Sequence, residues 1–284
     1  MGSPTSYQTV SIDYDGHNGI RFLAQTPVYT HKEITRTEAF LELELLEDAR
    51  SRLQPGDLVV DIGAHVGNHS LFFALLCACD VVAVEPDASN FDSLRATLEA
   101  NDPNGRVTLH NIAIGAKPGR GRFTNHGTAS ASTLKIASDA NGDIEIQTID
   151  AILDPEENVS ILKIDIEGAE ADALRGASRT LQTWRPRIYA ECLNIDEFDA
   201  VDAILRPMGY DVAGCFCASP TFAFAFSDSQ RGGSKARRYA KAAIAERDAR
   251  KARLRHLIDE NGRLRNRIQD LREDLKAASH APTP

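Results

Sequence analysis

Leu58-Val59-Val60-Asp61-Ile62-Gly63-Ala64-His65-Val66-Gly67 decides the fold of this chain. The apolar run before Asp61 has the length and near-continuous hydrophobicity of a strand buried on both faces of a parallel sheet. Two glycines four residues apart follow, and then an apolar helical stretch from Ser70 to Cys79. Glycine at these places lets the chain turn sharply and brings a ligand close to the N–H groups that open a helix. A second apolar run, Val81-Val82-Ala83-Val84, ends in Glu85-Pro86. In doubly wound folds a carboxylate there, about 20 residues beyond the glycine turn, accepts hydrogen bonds from ribose hydroxyls. The succession predicts a seat for a ligand that carries a nucleoside. A turn whose glycines serve packing alone is the plainer alternative, and Glu85 counts against it.

The dinucleotide pattern G-x-G-x-x-G is absent, because Ala64 and His65 follow Gly63. The spacing D-x-G-x-x-x-G instead resembles motif I of class I S-adenosylmethionine (SAM)-dependent methyltransferases. Further on, Lys163-Ile164-Asp165-Ile166-Glu167-Gly168-Ala169-Glu170 closes another apolar strand. That run resembles the hallmark of the FkbM-type methyltransferases. Val84-Glu85-Pro86, Asn111-Ile112-Ala113-Ile114-Gly115 and Ile188-Tyr189-Ala190-Glu191 support the likeness. It spans roughly residues 38 to 226 and leaves the C-terminal tail uncovered. The resemblance implies an α/β fold with a doubly wound, mostly parallel seven-stranded sheet whose last strand is antiparallel. It also implies SAM as cofactor and methyl transfer to a hydroxyl, with a sugar of a polysaccharide, glycolipid or glycosylated metabolite as acceptor.

On that reading Asp61, Gly63, Ala64 and Gly67 shape the loop around the methionine end, and Glu85 takes the ribose. Asn111 either meets the adenine edge or caps a strand end. Asn68 and His69 either bond the cofactor carboxylate or cap the helix. Methyl transfer is an in-line displacement, so positioning supplies much of the rate. An alcohol must also lose its proton to a base within hydrogen-bond reach. The catalytic candidates are Asp165, Glu167 and His65. In one reading Asp165 or His65 is the base and Glu167 orients the acceptor. In the other, Asp165, Glu167 and Glu191 bind a divalent metal that acidifies the alcohol. The base is preferred, since no ligand spacing demands a metal. A catalytically silent methyltransferase-fold scaffold is the rival from another class, and a metal-dependent enzyme for a non-sugar small molecule is a further one.

Residues 1–228 hold 17 Lys and Arg against 34 Asp and Glu, whereas residues 229–284 hold 15 against 7. An acidic body argues against nucleic acid as a partner. Five cysteines lack zinc or disulfide spacing, and the sequence shows neither a membrane-spanning run nor a signal segment. The expectation is a cytoplasmic enzyme. Three regions are expected: a hairpin and helix extension (1–56), the SAM-binding domain (57–228), and a basic linker with a helical tail (229–284). The extension is a hairpin over 8–25 followed by one helix from Thr37 to Leu53. Strands are expected at 57–61, 80–84, 106–110, 160–165, 187–192, 209–214 and 221–226, with helices near 69–78, 88–100 and 169–182. Phe123 to Gln147 reads as a polar surface loop. In the tail, Leu254, Leu257, Asn261, Leu264, Ile268, Leu271 and Leu275 form an a/d seam, which predicts a parallel homodimer, with a single amphipathic helix laid on the body as the alternative. The basic run from Lys235 to Arg255 reads as a solvated helix face, with contact to the acidic body or to an anionic membrane surface as the lesser alternatives.

Overall fold

The structure, a computed structural model, describes residues 6–25, 29–124, 135–216, 219–227, 235–253 and 260. The chain opens with hairpin β1 (Gln8–Tyr14) and β2 (His17–Ala24). Its two-residue turn, Asp15-Gly16, has positive φ at both positions, the geometry that matches strand twist in tight hairpins. Two helices follow, α1 (Tyr29–Thr37) and α2 (Leu43–Arg50). The expected single helix over 37–53 is therefore corrected: α1 ends where it was to begin. Glu38 and Glu42 both adopt left-handed φ, which no continuous helix tolerates.

Then come β3 (Leu58–Ile62), α3 (Asn68–Leu71) extended by a π-turn over Phe72–Leu76, β4 (Asp80–Val84), α4 (Ala88–Asn101) and β5 (Val107–His110). A small four-stranded sheet follows, of β6 (Ala113–Ile114), β7 (Gly119–Thr124), β8 (Lys135–Ser138) and β9 (Ile144–Gln147), and the end of β7, β8 and β9 fall in the stretch expected to be a loop. That is a second correction: polar residues line the exposed face of these strands, so composition disguised their alternation. The chain continues with α5 (Ile149–Ile152), β10 (Val159–Ile164), α6 (Glu170–Arg175), α7 (Ser178–Thr183) and β11 (Arg187–Glu191). It ends with α8 (Ile195–Leu205), β12 (Tyr210–Phe216) and β13 (Thr221–Phe226). The expected helix at 169–182 is split in two at Gly176-Ala177, and α8 was not expected. Asn194 caps α8 by accepting from the N–H groups of Asp196 and Glu197, a signal present in the sequence.

The main sheet has the order β12-β13-β11-β10-β3-β4-β5, parallel except for β13, which runs against both its neighbours. Strand parity sends alternate residues to two faces. Val60, Ile62, Leu162, Ile164, Ile188 and Ala190 pack on one side with α5 to α8. Val59, Ala83, Ile161 and Tyr189 pack on the other with the hairpin, α1, α2 and α3. The hairpin is fastened to α4, where Asn101 and Thr97 side chains accept from the backbone N–H of Arg21 and Leu23.

Residues 235–253 form a helix, and they are no detached tail. Ala236, Ala240 and Ile244 sit in the main core, Arg237 pairs with Asp199 at 2.7 Å, and Arg247 donates to the Leu193 carbonyl at 2.7 Å. Ala240→Asp would put a carboxylate among apolar groups. Loss of amide-exchange protection across 235–253 is the expected result; unchanged protection would contradict this packing. The proposed seam begins at Leu254, outside the described residues. Among those described, no helix is long and apolar enough to cross a membrane.

Candidate active site

The carboxyl ends of β3, β4, β10 and β11 open onto one cavity of about 1500 Å³. Its walls also take residues from α1, the small sheet and the helix over 235–253. This is where open α/β sheets place ligands.

The glycine loop explains itself sterically. A Cβ on Gly63 would stand 1.9 Å from the Asp165 carbonyl oxygen, and φ is +82°. The loop is tied to β4 by hydrogen bonds from Gly63 and Ala64 N–H to the Val84 carbonyl, 2.9 and 3.0 Å. Gly63, Ala64 and His65 line the cavity. Gly67 serves a different purpose, facing Leu94 of α4 at φ +94°.

Asp61 does not face the cavity. It is fully buried, accepts from Ser70 Oγ at 2.6 Å and pairs with Lys163 Nζ at 3.1 Å. β3 and β10 run in register with Asp61 opposite Lys163, so both side chains meet on one face. Lys163 also donates to the Gly63 carbonyl at 3.0 Å and lies 3.8 Å from Asp165. Burial alone would raise the Asp61 carboxyl, but Lys163, His69 and the Ser70 hydroxyl hold it below the ordinary range. Burial would likewise lower the Lys163 ammonium, and the charges of Asp61 and Asp165 raise it instead.

Glu85 lines the cavity while nearly buried. Its oxygens accept from His65 N–H and Asp87 N–H, each at 2.9 Å. A carboxylate offers about four acceptor sites, so two such bonds leave capacity for vicinal hydroxyls. Burial pushes Glu85 up to about 7, against the opposing pull of those N–H bonds. Asn111 stands behind it, donating to the Glu85 carbonyl at 2.8 Å and the Pro86 carbonyl at 3.2 Å. It is a strap, and the apolar wall beside Glu85 comes instead from Pro86, Ile112 and Ala113. Asn68 is similarly committed: its amide accepts from Leu41 N–H at 2.9 Å and donates to the Leu41 carbonyl at 3.0 Å. His69 Nε2 lies 3.1 Å from Glu42 Oε2.

The catalytic candidates converge on the same cavity. Asp165, Glu167 and Glu191 all line it, as does His65. The turn carrying Glu167 is braced by Glu170, which accepts from Ile166 and Gly168 N–H at 3.0 and 3.1 Å. His65 and Glu167 both hold left-handed φ, 51° and 58°, conformations that concentrate at functional sites. Burial, then the charge of Asp165, pushes Glu167 up to about 7. Burial and the Asp165 charge push Glu191 well above the carboxylate range, and the two are hydrogen-bonded. Burial, helped by Lys163, drives His65 down to about 4, and its Nδ1 lies 3.3 Å from Thr30 Oγ1. Among the described residues no set of three or more His, Cys, Asp or Glu side chains has a metal-holding arrangement. At the three carboxylates named for the metal alternative, Lys163 lies 3.8 Å from Asp165 and Glu191 is hydrogen-bonded to Asp165.

Sequence reasoning missed Lys163, Glu42 and Lys251, the last reaching the cavity from the helix over 235–253. Only for Lys163 did a signal exist, since strand parity puts it on the same face as Asp61 once the two strands are paired.

Sheet order and glycine loop define a class I methyltransferase fold. The FkbM methyltransferase domain model matches residues 61–212. The chain belongs to that family, whose cofactor is SAM. The hexuronic acid methyltransferase AglP of Haloferax volcanii is 27% identical over 143 residues, covering 49% of this chain and 56% of that protein. The chain thus spans little more than half the length of this curated relative. Among solved structures, an FkbM methyltransferase from Methylobacillus flagellatus aligns with TM-score 0.44 and 17% identity, covering 69% of this chain and 60% of that one. A precorrin-6y C5,15-methyltransferase from Geobacter metallireducens gives 0.44 and 17%, covering 66% and 88%.

The residues present fit SAM: a loop that admits no Cβ, a buried carboxylate for the ribose and an apolar wall beside it. Glu85→Gln removes the charge while keeping the shape. Affinity for S-adenosylhomocysteine, measured by titration calorimetry, is expected to fall about tenfold. Equal affinity would separate Glu85 from the ribose.

Proposed function

We propose that this chain is a SAM-dependent O-methyltransferase acting on a sugar hydroxyl. The observation that carries the reading is the shared cavity. Glu85, Gly63, Asp165 and Glu167 all open onto the same space. Its volume exceeds the usual 300–1,000 Å³ or so of a single-ligand pocket, leaving room for an acceptor beside the cofactor. The AglP relative acts, by its name, on a hexuronic acid, which supports a sugar acceptor.

When bound, SAM supplies the electrophilic methyl group. The chain's residues orient the acceptor and take its proton. In this reading the roles of Asp165 and Glu167 are the reverse of those first preferred. Asp165 lies between the Lys163 ammonium and the Glu191 carboxyl, and in this reading it orients the acceptor. Glu167, poised at about 7, suits proton abstraction at neutral pH, where a base works best when its pKa is near the ambient pH. His65, lowered to about 4 by burial, is the weaker base of the two.

Two measurements follow. Tritium from methyl-labelled SAM, offered with fractionated glycans, should appear in carbohydrate, equally with and without chelator. Label found only in non-sugar products would overturn the acceptor class. The rate should climb as pH rises through about 7, because the base acts only after losing its proton. Glu167→Gln should lower kcat by about 10²–10⁴-fold and flatten that climb; a persisting climb would return the role to another group.

A further inference from the structure

The helix over 235–253 lies beyond the family-matched residues, yet it reaches the cavity through Lys251. One stripe of side chains accounts for this. Ala236, Ala240, Ile244, Arg247 and Lys251 recur at spacings of four and three, which puts them along one side of the helix. The first three are buried in the main core. Arg247, next along, is only 13% exposed at its side chain and donates to the Leu193 carbonyl at 2.7 Å. Lys251 continues the stripe by a further turn, where the body gives way to the cavity.

The contact with Leu193 tells which part of the site this helix meets. Leu193 comes just after β11, which ends at Glu191, the residue hydrogen-bonded to Asp165. The strand that leads to Glu85 is β4, and the sheet order β11-β10-β3-β4 puts it three strand spacings from β11, about 14 Å. The helix is thus pinned at the β11 side of the cavity, and Lys251 enters from there. Lys163 is committed to Asp61 and the Gly63 carbonyl. Lys251 is exposed, and no ion pair among the described residues involves it. Asp165, Glu167 and Glu191 line the cavity that it enters. An acceptor with its own negative charge meets such a wall at a cost, which a cation at the entrance offsets. We propose that Lys251 binds an anionic substituent, a carboxylate or a phosphate group, on the sugar whose hydroxyl is methylated. The assignment rests on the sugar-acceptor reading above and narrows it to acidic glycans. It makes the C-terminal helix a part of the acceptor site.

Methyl-labelled SAM and the full chain decide it, with glycans parted by anion exchange into acidic and neutral pools. Wild type should label the acidic pool. Carboxyl reduction or phosphatase treatment of that pool should abolish the labelling, according to which anion is recognised. Lys251→Met should raise the KM for the acidic pool about tenfold while S-adenosylhomocysteine binds as before, and Lys251→Arg should restore it. Added salt should narrow the gap between wild type and Lys251→Met. The comparison of pools alters no protein atom, so it decides even where a variant fails to fold. Label confined to the neutral pool would overturn the assignment and leave the sugar reading standing. An unchanged KM in Lys251→Met, or labelling that survives both treatments, would overturn it as well. So would label released by mild alkali, a methyl ester of the anion itself. Label in neither pool would remove the sugar reading, and this assignment with it.

Discussion

Lys163→Met is expected to destabilise the fold by about 3–5 kcal/mol, the cost of leaving one member of a buried ion pair without the other. The ammonium is nearly inaccessible and holds Asp61, the Gly63 carbonyl and, more distantly, Asp165. Without it Asp61 keeps the Ser70 hydroxyl and the field of His69 as compensation. Urea unfolding of Lys163→Met, Asp61→Asn and the double variant measures the coupling. If the double variant loses as much as the two singles together, the pair is not a unit. The sign of the pH dependence follows from Asp61, whose folded carboxyl is held low. Its contribution is present above the unfolded value of about 4 and disappears on acidification through the lower folded value. Lys163→Met should abolish that part of the acid sensitivity.

Gly63→Ala is the second large effect, and Gly16→Ala is its control. Both glycines hold φ near +80°, +82° and +81°, so both substitutions incur backbone strain of about 1–2 kcal/mol. At Gly16 a Cβ meets nothing within 4 Å, whereas at Gly63 it meets the Asp165 carbonyl at 1.9 Å. Asp165 N–H in turn donates to the Ile62 carbonyl at 3.0 Å. Relief therefore requires β3 and β10 to part at the end that bears the site. S-adenosylhomocysteine affinity should fall beyond calorimetric detection in Gly63→Ala and stay unchanged in Gly16→Ala. Matching affinities in the two variants would defeat the steric argument.

The sheet was legible because its strands are buried on both faces and read as unbroken apolar runs, Val81 to Val84 above all. Glycine spacing and Glu85 pointed to the cavity that Gly63 and Glu85 line for the same local reason. What escaped was whatever depends on pairing across distance. Nothing near Asn68 in the chain says that its amide is taken by Leu41, or that Asn111 donates to the Glu85 and Pro86 carbonyls. Contact of the helix over 235–253 with the body was only a lesser reading because charge dominates its composition. Its buried side is made of Ala236, Ala240 and Ile244, too small a stripe to outweigh nine basic residues between 235 and 255.

The place of β13 has a consequence for how the protein is made. It is the last strand of the main sheet to leave the ribosome, yet it lies between β11 and β12. Until Thr221–Phe226 has emerged, the N–H and C=O groups along one edge of β11 have no strand to bind, and β12 has nowhere to dock. Nascent chains halted before that point carry an open, apolar sheet margin, the kind that recruits chaperones or other copies.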